Sequence, residues 1–327
     1  MPDDGARQIG QPFPPTIDRD TAEAALAGLR APQKFLPARL FYDEAGCRLF
    51  EAITNLAEYY PTRTEMALLA TIAPEIQALT PQGAALVEYG ASDETKASLL
   101  LRAGSFSAYV PIDVAAPALS RLAHRMRHSW QPMVVVPMVA DFLEPISLPT
   151  VIAGSPRLGF FPGSTIGNLD PGEIQKFLLQ AKATLGTDAR FVIGADLRKD
   201  PAILLPAYDD AAGVTAAFNL NLLVRLNREA AADFNPANFR HEARWNDVES
   251  RIEMHLVSRC NHRVNVAGET IRFLAGESIH TENSYKFTEP NLACLAASAG
   301  WRLAKSWTDP ARLFSVLLLD QTFNADP

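Results

Sequence analysis

The chain is poor in cysteine. Its three residues, Cys47, Cys260 and Cys294, are widely separated and odd in number. They suggest neither a disulfide framework nor paired zinc ligands, and a reducing, cytoplasmic setting is expected. An excess of positive charge is also missing. Thirty Lys and Arg against 37 Asp and Glu give a net charge of -7, so no nucleic acid and no anionic membrane is expected as partner. No run approaches the length that spans a bilayer. Residues 1–20 carry Asp3, Asp4 and four prolines without an apolar stretch, which excludes a signal peptide and predicts a loose arm. The six histidines show no HExxH spacing. His124, His128, His255 and His262 lie in polar or basic stretches and read as surface side chains, with no metal expected. The G-x-G-x-x-G cradle for a pyrophosphate is absent as well, which argues against a nicotinamide-dependent oxidoreductase.

What is present is the composition of an ordinary globule, 48% hydrophobic over 327 residues, enough for one large α/β domain or two domains. From residue 84 onward, short apolar runs alternate with amphipathic stretches. Strands are predicted at Ala84–Gly90, Tyr109–Val114, Met133–Val139, Leu158–Phe161 and Arg190–Asp196, with helices at Glu94–Ala103, Ala116–Ser129 and Pro171–Leu185. Such βαβ alternation implies right-handed crossovers and a parallel, doubly wound sheet. The pattern breaks between 197 and 285, where a polar helix (Gly213–Glu229) precedes antiparallel segments such as Arg251–Ser258 and Arg263–Val266. It resumes with the helix Pro290–Ala299 and two strands, Arg302–Thr308 and Leu313–Leu319, joined at Asp309-Pro310. A closing hairpin on a parallel sheet is typical of Rossmann-like methyltransferases. The expected fold is therefore an α/β Rossmann-like core (21–196 and 286–327) that begins with a helical segment, Tyr42–Ile53 and Thr62–Ala73. An α+β substrate-binding lobe (197–285) is inserted in it.

The most informative run is Phe160-Phe161-Pro162-Gly163-Ser164-Thr165-Ile166-Gly167-Asn168. It ends a buried strand with small residues and one amide, where ligands of open α/β sheets bind. An ordinary strand-to-helix turn, capped by Ser164 or Thr165, competes with that reading. Three other strand ends carry Gly90 (in Glu88-Tyr89-Gly90-Ala91-Ser92), Asp113 and Asp141-Phe142. A glycine for close backbone approach, a carboxylate for ribose hydroxyls and a second carboxylate beside an aromatic suit an adenosine-bearing ligand with a charged tail. Lys96 adds a cation for a ligand carboxylate.

At these residues the chain resembles the L-histidine Nα-methyltransferases of ergothioneine biosynthesis and the related fungal amino-acid N-methyltransferases, from about Phe41 to Phe314. The matching blocks are Phe41-Tyr42-Asp43 with Gly46, Glu58 through Glu65, Phe160 through Asn168, Tyr208-Asp209-Asp210 with Gly213 through Asn219, and Thr281 through Lys286. The resemblance implies that Gly90, Lys96, Asp113, Asp141 and Phe142 hold S-adenosyl-L-methionine, released as S-adenosyl-L-homocysteine. It implies that Tyr60, Gly163, Asn168 and Tyr208 hold the amino-acid backbone of L-histidine, with Met254, Glu282 and Ser284 facing its side chain. The catalytic set would be Asn168, Tyr60 and Gly163, the product hercynine, and the active form a monomer. The chain departs from the pattern at Ser92, where a second glycine is common, at Cys47, usually serine, and at Leu169, frequently aromatic. Another amino acid such as tryptophan as acceptor, or a silent amino-acid-binding protein, stays open at this point.

Overall fold

The computed structural model describes residues 17–130 and 132–321, with the side chains of 128 and 129 left aside. Its first helix, α1 (Arg19–Leu29), was not expected. Asp18 starts it by accepting from the backbone N–H groups of Asp20 and Thr21, so the expected arm stops short of Asp20. Residues 1–16 lie outside the described residues. Helices α2 (Glu44–Thr54) and α3 (Tyr60–Leu79) follow.

The alternating region folds as β1 (Ala85–Tyr89), α4 (Thr95–Ala103), β2 (Ala108–Asp113), α5 (Ala116–Ser129), β3 (Val134–Val135), β4 (Met138–Val139), β5 (Arg157–Phe161), α6 (Pro171–Leu185) and β6 (Arg190–Asp196). The single strand expected at Met133–Val139 is two short pieces, both paired with β2. Pro137 sits between them and supplies no N–H to a continuous ladder. Residues 197–285 form α7 (Pro201–Tyr208), α8 (Val214–Glu229) and the strands β7 (Phe239–Asn246), β8 (Arg251–Ser258), β9 (His262–Val266), β10 (Glu269–Phe273) and β11 (Ser278–Tyr285). These strands make a three-stranded and a two-stranded antiparallel sheet. Helix α9 (Glu289–Ser298) leads to β12 (Trp301–Thr308) and β13 (Phe314–Gln321).

The central sheet has the order β12-β13-β6-β5-β1-β2-β3. Strands β6, β5, β1, β2 and β3 run parallel, and β13 joins β6 antiparallel to close the expected hairpin. Side-chain alternation along the strands feeds two apolar layers. Ala85, Val87 and Tyr89 pack with Phe177 and Ala296 of α6 and α9, whereas Leu86 packs with Leu69, Leu100 and Leu122 of α3, α4 and α5. A third cluster joins Leu26, Leu29 and Phe41 of the N-terminal segment to Leu222, Met254 and Ile279 of the inserted elements. Phe41 stacks on Phe218 there at 4.4 Å between ring centroids. Among the described residues, no helix is long and apolar enough to cross a membrane.

Trp301 ties the closing hairpin to α6. It is fully buried and donates its indole N–H to the Leu178 carbonyl at 2.9 Å. Trp301→Ala is expected to cost about 3–5 kcal/mol of unfolding free energy, read from urea titration of the wild-type and variant proteins.

Candidate active site

The first half of the site lies where β1 and β2 end. Gly90 has a φ of 75°, a conformation that favours glycine. A Cβ there would stand 3.7 Å from Thr165 Cγ2 and 4.0 Å from Phe142 Cε1, so the missing side chain keeps a slot open between them. Ser92 is exposed and outside the positive-φ residues, so Gly90 alone bears the backbone demand of this loop. Asp113 accepts from the Ala115 N–H at 2.7 Å and Asp141 from the Leu143 N–H at 2.9 Å. These bonds fix both carboxylates at the crevice mouth. Burial raises the Asp113 carboxyl, with the backbone bonds opposing. Phe142 packs at 5.4 Å from both Phe161 and Phe177.

Lys96 is not the free cation that the sequence suggested. Its ammonium lies 2.6 Å from Glu65, a carboxylate that is 1% exposed. Glu65 also accepts the Gly163 N–H at 2.9 Å. Lys96 keeps 19% of its side chain exposed. Glu65 closes the block Glu58 through Glu65, and its burial follows from the assembled fold.

The second half begins at the end of β5. Gly163 and Ser164 both take positive φ, 80° and 56°, and the chain then makes a short 3-10 turn over Thr165–Asn168. Neither Ser164 nor Thr165 caps α6. Asp170 does, in a capping box with Glu173. Ser164 instead accepts the Asp196 N–H at 2.9 Å, tying the ends of β5 and β6 together. The turn aims Asn168 at the inserted strands, and its amide donates to Glu282 Oε1 at 3.2 Å. Met254 pairs in register with Glu282 across β8 and β11, beside a register shift between His280 and Glu282. His280 Nε2 donates to the Glu282 carbonyl at 3.1 Å and steadies that irregular stretch.

Burial raises the Tyr42 hydroxyl well above its usual value, reinforced by the charges of Glu282, Tyr59 and Asp113. Tyr59 is raised by burial, Tyr208 and Glu282. Tyr59 lies edge-on to Tyr208 at 6.2 Å between ring centroids, and Phe50 packs against both Tyr42 and Tyr59. Both lie in blocks quoted from the sequence, yet neither was singled out.

Beneath the site is an ionic network that sequence reasoning missed. Asp196, at the end of β6, is fully buried and meets Lys199 at 2.5 Å and Lys286 at 2.8 Å. Tyr60 donates to both Asp196 oxygens at 2.9 and 2.8 Å and accepts from Lys199 at 2.8 Å. The Tyr60 hydroxyl, expected to meet the acceptor backbone, is thus already engaged. Lys286 donates to the hydroxyls of Tyr208 at 2.6 Å and Ser284 at 2.7 Å, which lie 2.7 Å apart. Burial lowers Lys199 to about 8, with Asp196 opposing. A carboxylate at a strand end was the available signal. Its two lysines are three residues on in sequence and across the inserted segment.

His255, read from sequence as a surface side chain, is buried. It stacks on His280 at 4.9 Å between centroids and lies 3.2 Å from Glu253 Oε2. Burial and the Arg244 charge lower His255 to about 4. The ligand-type atoms of Glu253, His255 and His280 lie within 4.8 Å of one another. The cation on that carboxylate is Arg251, at 2.7 Å.

Burial pushes Glu282 up from 4.5 to about 8, with Lys286 opposing. A carboxyl raised in the folded state holds its proton more tightly than in the unfolded chain. Its contribution to stability is complete below about 4.5 and is lost as pH climbs through about 8. Glu88, also buried and raised to about 8, acts in the same direction. The contributions of Glu282 and Glu88 fall between about pH 5 and 8, opposed below about 6.5 by His255, which burial lowers; Glu282→Gln is expected to flatten the fall above about pH 6.5 in denaturant titrations.

Comparisons with known proteins place the chain in a family. The family described as "Histidine-specific methyltransferase, SAM-dependent" matches residues 21–321. The Histidine N-alpha-methyltransferase of Mycobacterium tuberculosis is 40% identical over 298 residues, covering 89% of this chain and 92% of that protein. Its namesake in Mycolicibacterium smegmatis is 42% identical over 312 residues, covering 91% and 96%. Among solved structures, a S-adenosylmethionine-dependent methyltransferase from Clostridium acetobutylicum aligns with a TM-score of 0.50 at 9% identity, over 84% of this chain and 99% of that one; it bears on the fold alone. On the family match and on two relatives aligned over nearly their whole length, the chain belongs to the histidine-specific, S-adenosylmethionine-dependent methyltransferases.

Proposed function

We propose that this protein methylates the α-amino group of L-histidine three times to give hercynine, the ergothioneine precursor. The observation that carries the reading is the Asn168–Glu282 hydrogen bond. It joins the amide at the end of β5, beside the cofactor crevice, to the acidic group that would read the acceptor ring.

The slot at Gly90, the fixed carboxylates of Asp113 and Asp141, the Phe142 ring and the exposed part of Lys96 suit S-adenosylmethionine. When bound, it supplies a sulfonium methyl group. The chain's own task is to hold a neutral amine in line with that methyl. Positioning of this kind supplies most of the acceleration in a displacement without a covalent intermediate, and none of it requires a metal. Asn168 and the backbone at Gly163 are the groups for the amine, while the Tyr208 hydroxyl is engaged by Lys286 and Ser284 and steadies the acceptor side of the pocket. Tyr60 acts from behind, through Asp196 and Lys199. The amine sheds its proton to water before each transfer. Tyr42 and Tyr59 offer aromatic faces that tolerate the growing cation.

Ring recognition falls to Glu282, Met254 and Ser284. An imidazole N–H on ionised Glu282 makes a charge-assisted bond worth roughly 1.5–3 kcal/mol. Every group named comes from one chain, so a monomer suffices. The three free cysteines support a reducing, cytoplasmic setting.

Mass spectrometry of the product from histidine and S-adenosylmethionine is expected to show a gain of three methyl groups; no gain at all sinks the proposal. Glu282→Ala is expected to lower kcat/KM for histidine about 10- to 100-fold while S-adenosylhomocysteine binding persists. Because burial holds Glu282 protonated up to about 8, kcat/KM for histidine is expected to rise with pH through that value. The Glu282→Gln profile should keep only the limb of the substrate amine.

A further inference from the structure

We propose that Lys286 is a positioning residue that fixes Ser284 as a hydrogen-bond donor to the acceptor's ring, so that the pocket reads one ring N–H and one bare ring nitrogen. The proposal rests on the histidine reading above and follows from counting protons in a closed triangle.

Lys286 is buried, and its side chain is fully enclosed. An ammonium has three N–H donors and no acceptor. Here the three go to Asp196 Oδ2 at 2.8 Å, Tyr208 Oη at 2.6 Å and Ser284 Oγ at 2.7 Å. No donor is left for a ligand, so Lys286 acts only through its neighbours. Both hydroxyl oxygens are made acceptors of Lys286, and they lie 2.7 Å from each other. One hydroxyl proton therefore sits between them and the other points elsewhere. The phenol is the more acidic hydroxyl, and its oxygen already takes a short bond from Lys286. The favoured arrangement has Tyr208 donating to Ser284. Ser284 Oγ then accepts twice, which uses both lone pairs, and its own proton is directed away from Lys286 and Tyr208.

Direction along the strand completes the argument. Glu282 and Ser284 are two residues apart on β11, in continuous register with Met254 and Ile252 of β8. Side chains at that spacing share a face of the sheet. The face thus presents an acceptor at Glu282 and a pure donor at Ser284. A neutral imidazole, with one N–H and one bare nitrogen, satisfies both. An indole or a pyrrole leaves the Ser284 donor unmet, and an unmet buried donor is expensive. The buried lysine behind the pocket becomes a determinant of ring choice without touching the ring.

The test uses the full chain and three acceptors, histidine and its two pyrrole isosteres, in each of which CH replaces one ring nitrogen. Both isosteres keep an N–H and lack the bare nitrogen; in the wild-type enzyme the one whose N–H takes the Glu282 position, and so misses only the Ser284 bond, should lose at least about tenfold in kcat/KM. In Lys286→Met the two hydroxyls can turn, and that penalty should shrink to within about threefold. S-adenosylhomocysteine affinity by calorimetry should stay at the wild-type value. If Lys286 only supports the fold, histidine and isostere fall together and the wild-type ratio persists, which overturns the proposal. Should Lys286→Met fail to fold, Tyr208→Phe frees one lone pair of Ser284 and must also reduce the penalty; an unchanged penalty overturns the proposal equally. A wild-type protein that does not methylate histidine overturns the parent reading and this one with it. Unchanged discrimination in an active Lys286→Met overturns this one alone.

Discussion

A buried carboxylate between two ammonium groups is the constraint on which the rest of this structure depends. Asp196 closes β6, and its partners are Lys199, at the start of the inserted segment, and Lys286, just past its end. Removing such charges from water costs several kcal/mol per ion, and their attraction returns that cost only when geometry and further hydrogen bonds are good. Here Tyr60, Tyr208 and Ser284 supply those bonds. Such a network is weak evidence of net stability, and its geometric demand is what bears on the site. Any relative shift of α3, β6 and β11 leaves a buried charge without its partner, so the acceptor pocket is held in one arrangement.

The two halves of the site meet at Gly163. Its N–H is taken by Glu65 from below, and a Cβ there would stand 3.2 Å from the Lys96 ammonium. A side chain at this position would press on both the cation and the loop. The same turn carries Ser164, whose hydroxyl braces β6, and Asn168, which reaches the inserted strands. Four consecutive demands on backbone and side chain thus fall within six residues. That concentration accounts for the informative character of this stretch of sequence.

Much of the core could be read directly, because periodicity and breakers are local properties. Pro171–Leu185, Arg190–Asp196 and Arg251–Ser258 begin and end where the pattern places them. The closing hairpin is likewise where Asp309-Pro310 puts it. Helix α1 was obscured by the prolines before it, since its start depends on a single capping aspartate. Glu282, Asn168, Tyr208 and Ser284 were brought together as the family blocks implied. The intramolecular partners of Lys96 and Tyr60 are distant in sequence: Glu65 in one case, Asp196 and Lys199 in the other. Those pairings are decided by burial, which only the assembled fold defines. His255 illustrates the same limit: polar neighbours in sequence gave no hint that its ring would be enclosed.

The apolar cluster that joins the N-terminal segment to the inserted elements bears on how the polypeptide is made. Leu26, Leu29 and Phe41 bury themselves against Leu222, Met254 and Ile279, residues translated much later. During synthesis the first helices emerge from the ribosome with their greasy faces uncovered, and they wait there until the later strands arrive. The antiparallel partner of β6, β13, is the last of the described strands. The apolar face of the N-terminal helices therefore finds its full packing partners only once residues 214–285 have been made.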